Sequence, residues 1–283
     1  MINDLTNPPN DSVPAFHVVA PSIPSYGFSP APVKPGFGPI EAGHAFNELM
    51  LQLNYTRYVI QGGDLGGYIL RYQASSHPET VVSVLCNFWI EPPNQTDIAR
   101  HAQNQTRAEE NSWFDFLNTL ATKGFMHLYT QKTAPLQAGF AMTDSPIGFT
   151  MWIYQVMAGL APTPYSWRLD EIITWSMMYL IQGPYSAMRF YKEFAAEGAF
   201  VGATSFGELP YVHVPVGVIK GGLDVGYYVP LDWAQRRGNI TAWYVHDEGV
   251  HLAAYQTPES LLSDIWKFFG DPATSGTKEF HTE

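Results

Sequence analysis

Gln61-Gly62-Gly63-Asp64-Leu65-Gly66 is the stretch on which the reading of this chain turns. A small-x-nucleophile-x-small pattern is what a strained strand-to-helix elbow requires, because side chains at the flanking positions would clash across so tight a bend. Here the nucleophile would be an aspartate. Alone, the segment serves a glycine-rich loop equally well, with Asp64 capping the helix that follows. Its neighbours favour the elbow: Tyr58-Val59-Ile60 reads as a strand, and Tyr68 to Ser76 reads as a helix ended near Pro78.

Working outward, Glu41 to Leu53 places apolar residues at helical spacing, and Val81 to Phe88 is a continuous apolar run of the kind buried in a parallel sheet. Phe16 to Ala20 is a short β-branched and aromatic strand candidate, followed by the proline- and glycine-rich loop Pro21 to Gly38. The order is βαβαβ. Between residues 91 and 207 the pattern changes to long helix-like stretches rich in Trp, Tyr, Met and Phe. After Pro210 the alternation returns, with Val212 to Ile219 as strand, Pro230 to Arg237 as helix, Ile240 to Val245 as strand and Glu259 to Phe269 as a closing amphipathic helix. The expected architecture is α/β: a first core part over 1–90, a helical insertion over 91–207 and a second core part over 208–283. The tail from Asp271 to Glu283 is polar enough to fray.

Composition narrows the partners. The 283 residues are 46% hydrophobic and 14% charged, a globular balance with ample material for a core. A formal net charge of −11 argues against nucleic acid, whose binding draws on Lys and Arg, and points to a neutral or apolar small molecule. The single cysteine, Cys86, lies among apolar strand residues and reads as buried rather than reactive. No run approaches the roughly 20 apolar residues of a membrane span, and Met1 to Asn10 lacks a basic start or apolar segment, so the expected location is cytoplasmic.

The chemistry-bearing residues follow in hydrolase order. A carboxylate nucleophile makes sense where the covalent intermediate is an ester to carbon, since hydrolysis at the enzyme's own carbonyl releases product and restores the acid. That selects substrates with an electrophilic alkyl carbon: an epoxide or an alkyl halide. His251 follows a predicted strand in Glu248-Gly249-Val250-His251-Leu252, where a loop can present imidazole at the carboxyl edge of the sheet as a base. Asp224 follows the Val212 to Ile219 strand and is favoured over Asp247 and Glu248 to orient that imidazole, because such close sequence neighbours seldom fold back onto the ring. The sequence shows no HExxH or clustered Cys/His spacing, so neither metal nor organic cofactor is expected.

Taken together these segments resemble the microsomal-type epoxide hydrolases, including their fungal relatives, over about Ala15 to Gly270. The likeness rests on Phe16-His17-Val18-Val19-Ala20-Pro21-Ser22, Tyr26-Gly27-Phe28-Ser29, Gln61-Gly62-Gly63-Asp64 and the His251 loop with Pro258-Glu259 behind it. Within the insertion, Asp144-Ser145-Pro146-Ile147-Gly148 and Met188-Arg189-Phe190-Tyr191-Lys192-Glu193 look like that family's cap. The resemblance implies an α/β-hydrolase fold in which Asp64 opens the ring of a hydrophobic epoxide while cap tyrosines polarise its oxygen. His251, held by Asp224, then activates water as second substrate to release a vicinal diol. Tyr191 takes the place of one family tyrosine. The other falls on Phe125, and Tyr129, four residues on, is the expected stand-in on the same helical face.

Two further departures stand out. Leu65 occupies the position after the nucleophile where relatives carry Trp, leaving its backbone N–H to face the oxyanion. With no halide-holding Trp at that position, dehalogenation is the less favoured chemistry. Relatives also have early strands and a His-Gly-x-Pro loop that do not precede Phe16 here. One of those strands would lie between Phe16 to Ala20 and Tyr58 to Ile60, so the expected sheet lacks it, and an open edge favours homo-oligomers. Loss of one oxyanion donor slows catalysis by about 100 to 1000-fold. The alternative reading is therefore a truncated or degenerate hydrolase that is inactive or only binds a ligand.

Overall fold

Val81–Cys86 (β2) is buried at every position, as expected of an apolar run with neighbours on both edges and both faces covered. It lies between Tyr58–Gly62 (β1) and Val212–Gly221 (β3), with Gly238–His246 (β4) beyond β3. All the pairings are parallel. Pro215, which has no N–H to give a ladder, sits where the β3–β4 register shifts between Val212 and Pro215. The computed structural model describes residues 1–10, 12–124, 126–160, 165–198, 209–222, 224–249 and 251–281.

Helices surround this sheet. Ile2–Thr6 (α1), Pro39–Gln52 (α2) and Asp64–Ser76 (α3) precede β2. Between β2 and β3 come Gln95–Ala102 (α4), Ala108–Thr119 (α5), a π-helical turn over Leu120–Gly124, then Met126–Thr133 (α6) and Pro135–Thr143 (α7). Pro146–Leu160 (α8), Leu169–Leu180 (α9) and Pro184–Ala196 (α10) complete that stretch. Leu231–Ala234 (α11) lies between β3 and β4, and Ala253–Gln256 (α12) and Pro258–Phe269 (α13) follow β4.

The main core joins α2, α3 and the sheet, with Ile69, Leu70, Val84, Trp89 and Val218 almost wholly buried. A second cluster packs α13 on the sheet through Leu85, Ile265 and Phe268. Each such side chain contributes about 1.5–3 kcal/mol by leaving water. The helices between β2 and β3 also have a small core of their own, Phe149, Ile153 and Met188, with Trp175 and Tyr179 against it. Cys86 is fully buried, and burial pushes its thiol up to about 11.

The insert is tied to the sheet layer along α10 and by an aromatic seam. Tyr26 donates its hydroxyl to the Ala187 carbonyl at 3.1 Å, and Arg189 donates to Pro32 O at 2.9 Å. The Gly36 and Ile40 amides donate to Glu193 Oε2 and Glu197 Oε2 at 2.9 and 3.0 Å. Tyr255 of α12 stacks on Trp167 at 5.6 Å and meets Trp175 of α9 edge-on at 5.0 Å.

Three sequence expectations need correcting. Phe16 to Ala20 joins no ladder: the Phe16 N–H donates to Leu5 O at 2.8 Å and the His17 ring meets the Tyr55 hydroxyl at 2.8 Å. Strand propensity without a partner edge gives no strand, and among the described residues β1 is paired on one side only. The helix expected over Pro230 to Arg237 shortens to Leu231–Ala234, because β4 begins at Gly238. The tail does not fray over its described part. Ser275 and Thr277 are buried, Thr277 donates to Phe269 O at 3.0 Å, and Glu279 pairs with Arg57 at 2.8 Å.

Candidate active site

Where β1 ends and α3 begins, Asp64 adopts φ +47°, the left-handed region that an L side chain occupies only at a cost of about 1–3 kcal/mol. The glycines around it explain how so tight a bend closes. A Cβ on Gly62 would come within 2.8 Å of Leu70 Cδ2 and 3.1 Å of the Gly66 carbonyl, and one on Gly63 within 2.5 Å of Asn87 Nδ2. Gly66 differs from expectation, since a Cβ there would meet nothing within 4 Å. Crowding therefore falls on the strand side of the elbow. The helix starts at Asp64 itself, four residues before the expected Tyr68.

The carboxylate is met by His251, whose Nε2 lies 3.2 Å from Asp64 Oδ2. On its other side His251 Nδ1 is 2.8 Å from Asp224 Oδ1. Asp224 is 3% exposed and is itself fixed by the Val225 N–H at 2.7 Å. Asp247 and Glu248, the rejected competitors, are exposed. Phe88 packs edge-on against the imidazole at 5.4 Å.

The electrostatics follow from this sandwich. Burial alone would lower the His251 pKa, but the Asp224 charge and hydrogen bond, joined by those of Asp64, outweigh it and hold the imidazole well above 6.5. For Asp64, burial pushes upward and is outweighed by the His251 hydrogen bond and charge, by His127 and by the Leu65 N–H, so the carboxyl stays below its ordinary 3.8. Both shifts favour the ionised pair.

Asp64 faces a cavity with two lobes that meet at Asp64, His127, Ile153, Val156, Tyr179 and Tyr191. One lobe continues over Phe88, Leu128, Met157 and Trp175 to His251, and the other over Ile23, Tyr26, Gln131 and Trp152. Apolar and aromatic walls with a few convergent polar groups suit a hydrophobic small molecule. Tyr191 projects from α10, where the sequence expected it. Burial first, then the Asp64 charge, holds its phenol well above 10.0, with the Gln131 side chain opposing the rise.

Tyr129 does not reach this cavity. Its ring packs against the main core with Lys132 Nζ 4.7 Å from its centroid. On α6 the cavity face is His127, Leu128 and Gln131, and a residue between those positions turns to another side of the helix. Phe125 lies outside the described residues. Tyr179, on α9, was missed. Burial and the Asp64 charge push its phenol up to about 12. The available signal was the stripe Ile172, Trp175, Ser176 and Tyr179, an inward helical face that marks burial but not what is buried beside it. Among the described residues no group of three or more His, Cys, Asp or Glu could hold a metal.

A parallel sheet flanked by helices, with a strained acid at one strand end and a histidine–acid pair at the others, defines an α/β-hydrolase, and the family described as alpha/beta hydrolase fold matches residues 2–129. The chain has the α/β-hydrolase fold, and its sequence is similar to those of epoxide hydrolases. It is 30% identical to epoxide hydrolase 1 of Sus scrofa over 292 residues, covering 94% of this chain and 63% of the relative. The juvenile hormone epoxide hydrolase of the silkworm Bombyx mori superimposes with a TM-score of 0.74 at 22% identity, over 87% of this chain and 62% of that one. The Aspergillus niger epoxide hydrolase gives 0.70 at 25%, over 86% and 60%. The chain spans 56–63% of the length of the first curated relatives it matches.

Proposed function

We propose that the chain hydrolyses a hydrophobic epoxide to a vicinal diol through an ester on Asp64. The observation that carries this reading is the His251 imidazole held between Asp224 at 2.8 Å and Asp64 at 3.2 Å on the wall of an apolar cavity. The ionised Asp64 attacks one epoxide carbon from behind, the carbon–oxygen bond breaks, and the Tyr191 phenol gives its proton to the departing oxygen. The His251 imidazolium passes its proton to the Tyr191 phenolate and, now neutral, takes one from water, which attacks the ester carbonyl while the Leu65 N–H stabilises the oxyanion. Collapse releases the diol and restores the carboxylate beside the imidazolium. In this reading residues 91–207 are a cap over a core made of 1–90 and 208–283, and it is the cap that brings Tyr191 above the nucleophile.

Intact mass spectrometry after reaction with aryl and alkyl epoxides tests it. His251→Gln accumulates a covalent adduct one epoxide heavier than the chain, Asp64→Asn gives none, and wild type releases diol. Well-folded protein yielding neither adduct nor diol would overturn the proposal and leave a chain that binds without turnover.

A further inference from the structure

Asp64 belongs to the walls of both cavity lobes, so the carbon it attacks must sit where they meet. A ring with one substituent fills one lobe from there, whereas a ring in mid-chain fills both. The two directions also differ in chemistry. The lobe of about 140 Å³ runs over Phe88, Leu128, Met157 and Trp175, with His251 and the Tyr68 phenol as its polar members. The lobe of about 270 Å³ runs over Ile23 and Trp152, and its own polar side chains are Ser22, Tyr26 and Gln131. Tyr26 donates its hydroxyl to the Ala187 carbonyl at 3.1 Å, which leaves the Ser22 hydroxyl and the Gln131 amide as donors. Ser22 is partly exposed, whereas Gln131 on α6 is 7% exposed. An amide offers two N–H donors, and a donor so deeply buried loses free energy when a ligand leaves it unmet.

We propose that the substrate is a mid-chain epoxide with unlike arms: a hydrocarbon arm for the smaller lobe, and for the larger lobe an arm carrying a hydrogen-bond-accepting ether or carbonyl oxygen, which the Gln131 amide selects. Gln131 is thus a specificity-determining residue and takes no part in bond making. The inference rests on the ester reading above and adds no step to it.

The test compares kcat/KM for three epoxides of equal length: decane epoxidised at its end, decane epoxidised cis at its middle, and the second compound with one butyl arm exchanged for methoxyethyl. The terminal ring is the least hindered and has the advantage in bare chemistry. Filling the second lobe is expected to favour the middle ring by about 10 to 100-fold, since each buried methylene is worth roughly 4-fold. The methoxyethyl compound gains about a further 5-fold, within the range for a neutral hydrogen bond. Gln131→Met keeps the length of the side chain and removes the amide. It should abolish the preference for methoxyethyl over butyl and leave that for middle over terminal in place; an equal effect of the variant on every substrate cancels in these ratios. Gln131→Leu serves if the Met variant does not fold. A terminal epoxide turned over as fast as the middle one, or a methoxyethyl preference that is missing in wild type or kept within about two-fold in a folded variant, overturns the inference and leaves the ester reading standing. Failure of the His251→Gln protein to form an adduct with any of the three overturns both.

Discussion

His251 sits between two carboxylates, and that fixes how its proton answers to pH. Its folded pKa lies well above 6.5 because the attraction of Asp224 and Asp64 outweighs the burial that opposes it. A folded value above the unfolded one means stability that is whole below about pH 6.5 and is lost as pH rises through the folded value. Asp64 runs the other way: its depressed pKa contributes stability above its ordinary 3.8 that is lost as pH falls through the folded value. We expect His251→Gln to cost roughly 1.5–3 kcal/mol near pH 6, the worth of a charged hydrogen bond, with the gap to wild type narrowing in alkaline buffer. Thermal melts across pH check this, and a gap constant with pH would mean a neutral imidazole at rest. Asp64, Asp224 and His251 were legible because each sits in a local strand-to-loop signature. Tyr179 was not, since its proximity to Asp64 depends on how α9 lies over the sheet, and nothing near it in sequence records that. Tyr129 was misjudged for a related reason: sharing a helix with His127 does not mean sharing its face.

At the level of elements, α10 meets α2 through two carboxyl groups. Burial raises Glu197 at the end of α10, the Ile40 N–H opposes this, and the Glu41 carboxyl adds to the rise, bringing it to about 7. The folded chain thus holds a proton that the unfolded one releases near the ordinary 4.5, so stability declines as pH rises from about 4.5 to 7. Glu197→Gln keeps an acceptor for Ile40 and offers Glu41 a donor. Its Tm should match wild type at pH 5 and exceed it by about 2–4 °C at pH 8, the shift expected of roughly 1 kcal/mol in a chain of this size. An equal or lower Tm at pH 8 would show that the pair is hydrated and does not share a proton. The elements with strong periodicity, β2, β3 and α13, lie close to where the sequence put them. Phe16 to Ala20 has equally good strand residues and failed because a strand is a property of two segments, not one. The tail misled in the opposite direction, its polar composition concealing Ser275 and Thr277, whose hydroxyls are satisfied inside.

For the molecule as a whole, the sheet has two edges. β2 and β3 have partners on both sides, whereas β1 and β4 each have one among the described residues. Amides of β1 that point away from β2 should therefore exchange with solvent deuterium orders of magnitude faster than those of β2, with local opening far below the global unfolding free energy. Uniform protection across β1 and β2 would reveal a further partner on that edge, such as a second copy of the chain, and a dilution series would then separate the two cases. Layering of this kind was readable from the alternation of β- and α-type segments around an aromatic insert. Which edge stayed open depended on the missing ladder at Phe16 to Ala20.

The Asp64 carboxylate also acts as a timekeeper. Its negative charge is part of what holds protons on Tyr179 and Tyr191 and on His251. Under the proposed ester mechanism, esterification of that oxygen moves the charge to the opened ring, and all three groups loosen their grip together. The phenols become readier to give as the alkoxide needs a proton, and the imidazole becomes readier to shed its own and accept one from water. When hydrolysis returns the carboxylate, every group is reset. In that mechanism the order of the two half-reactions is written into the migration of one charge, and no moving part is needed to enforce it.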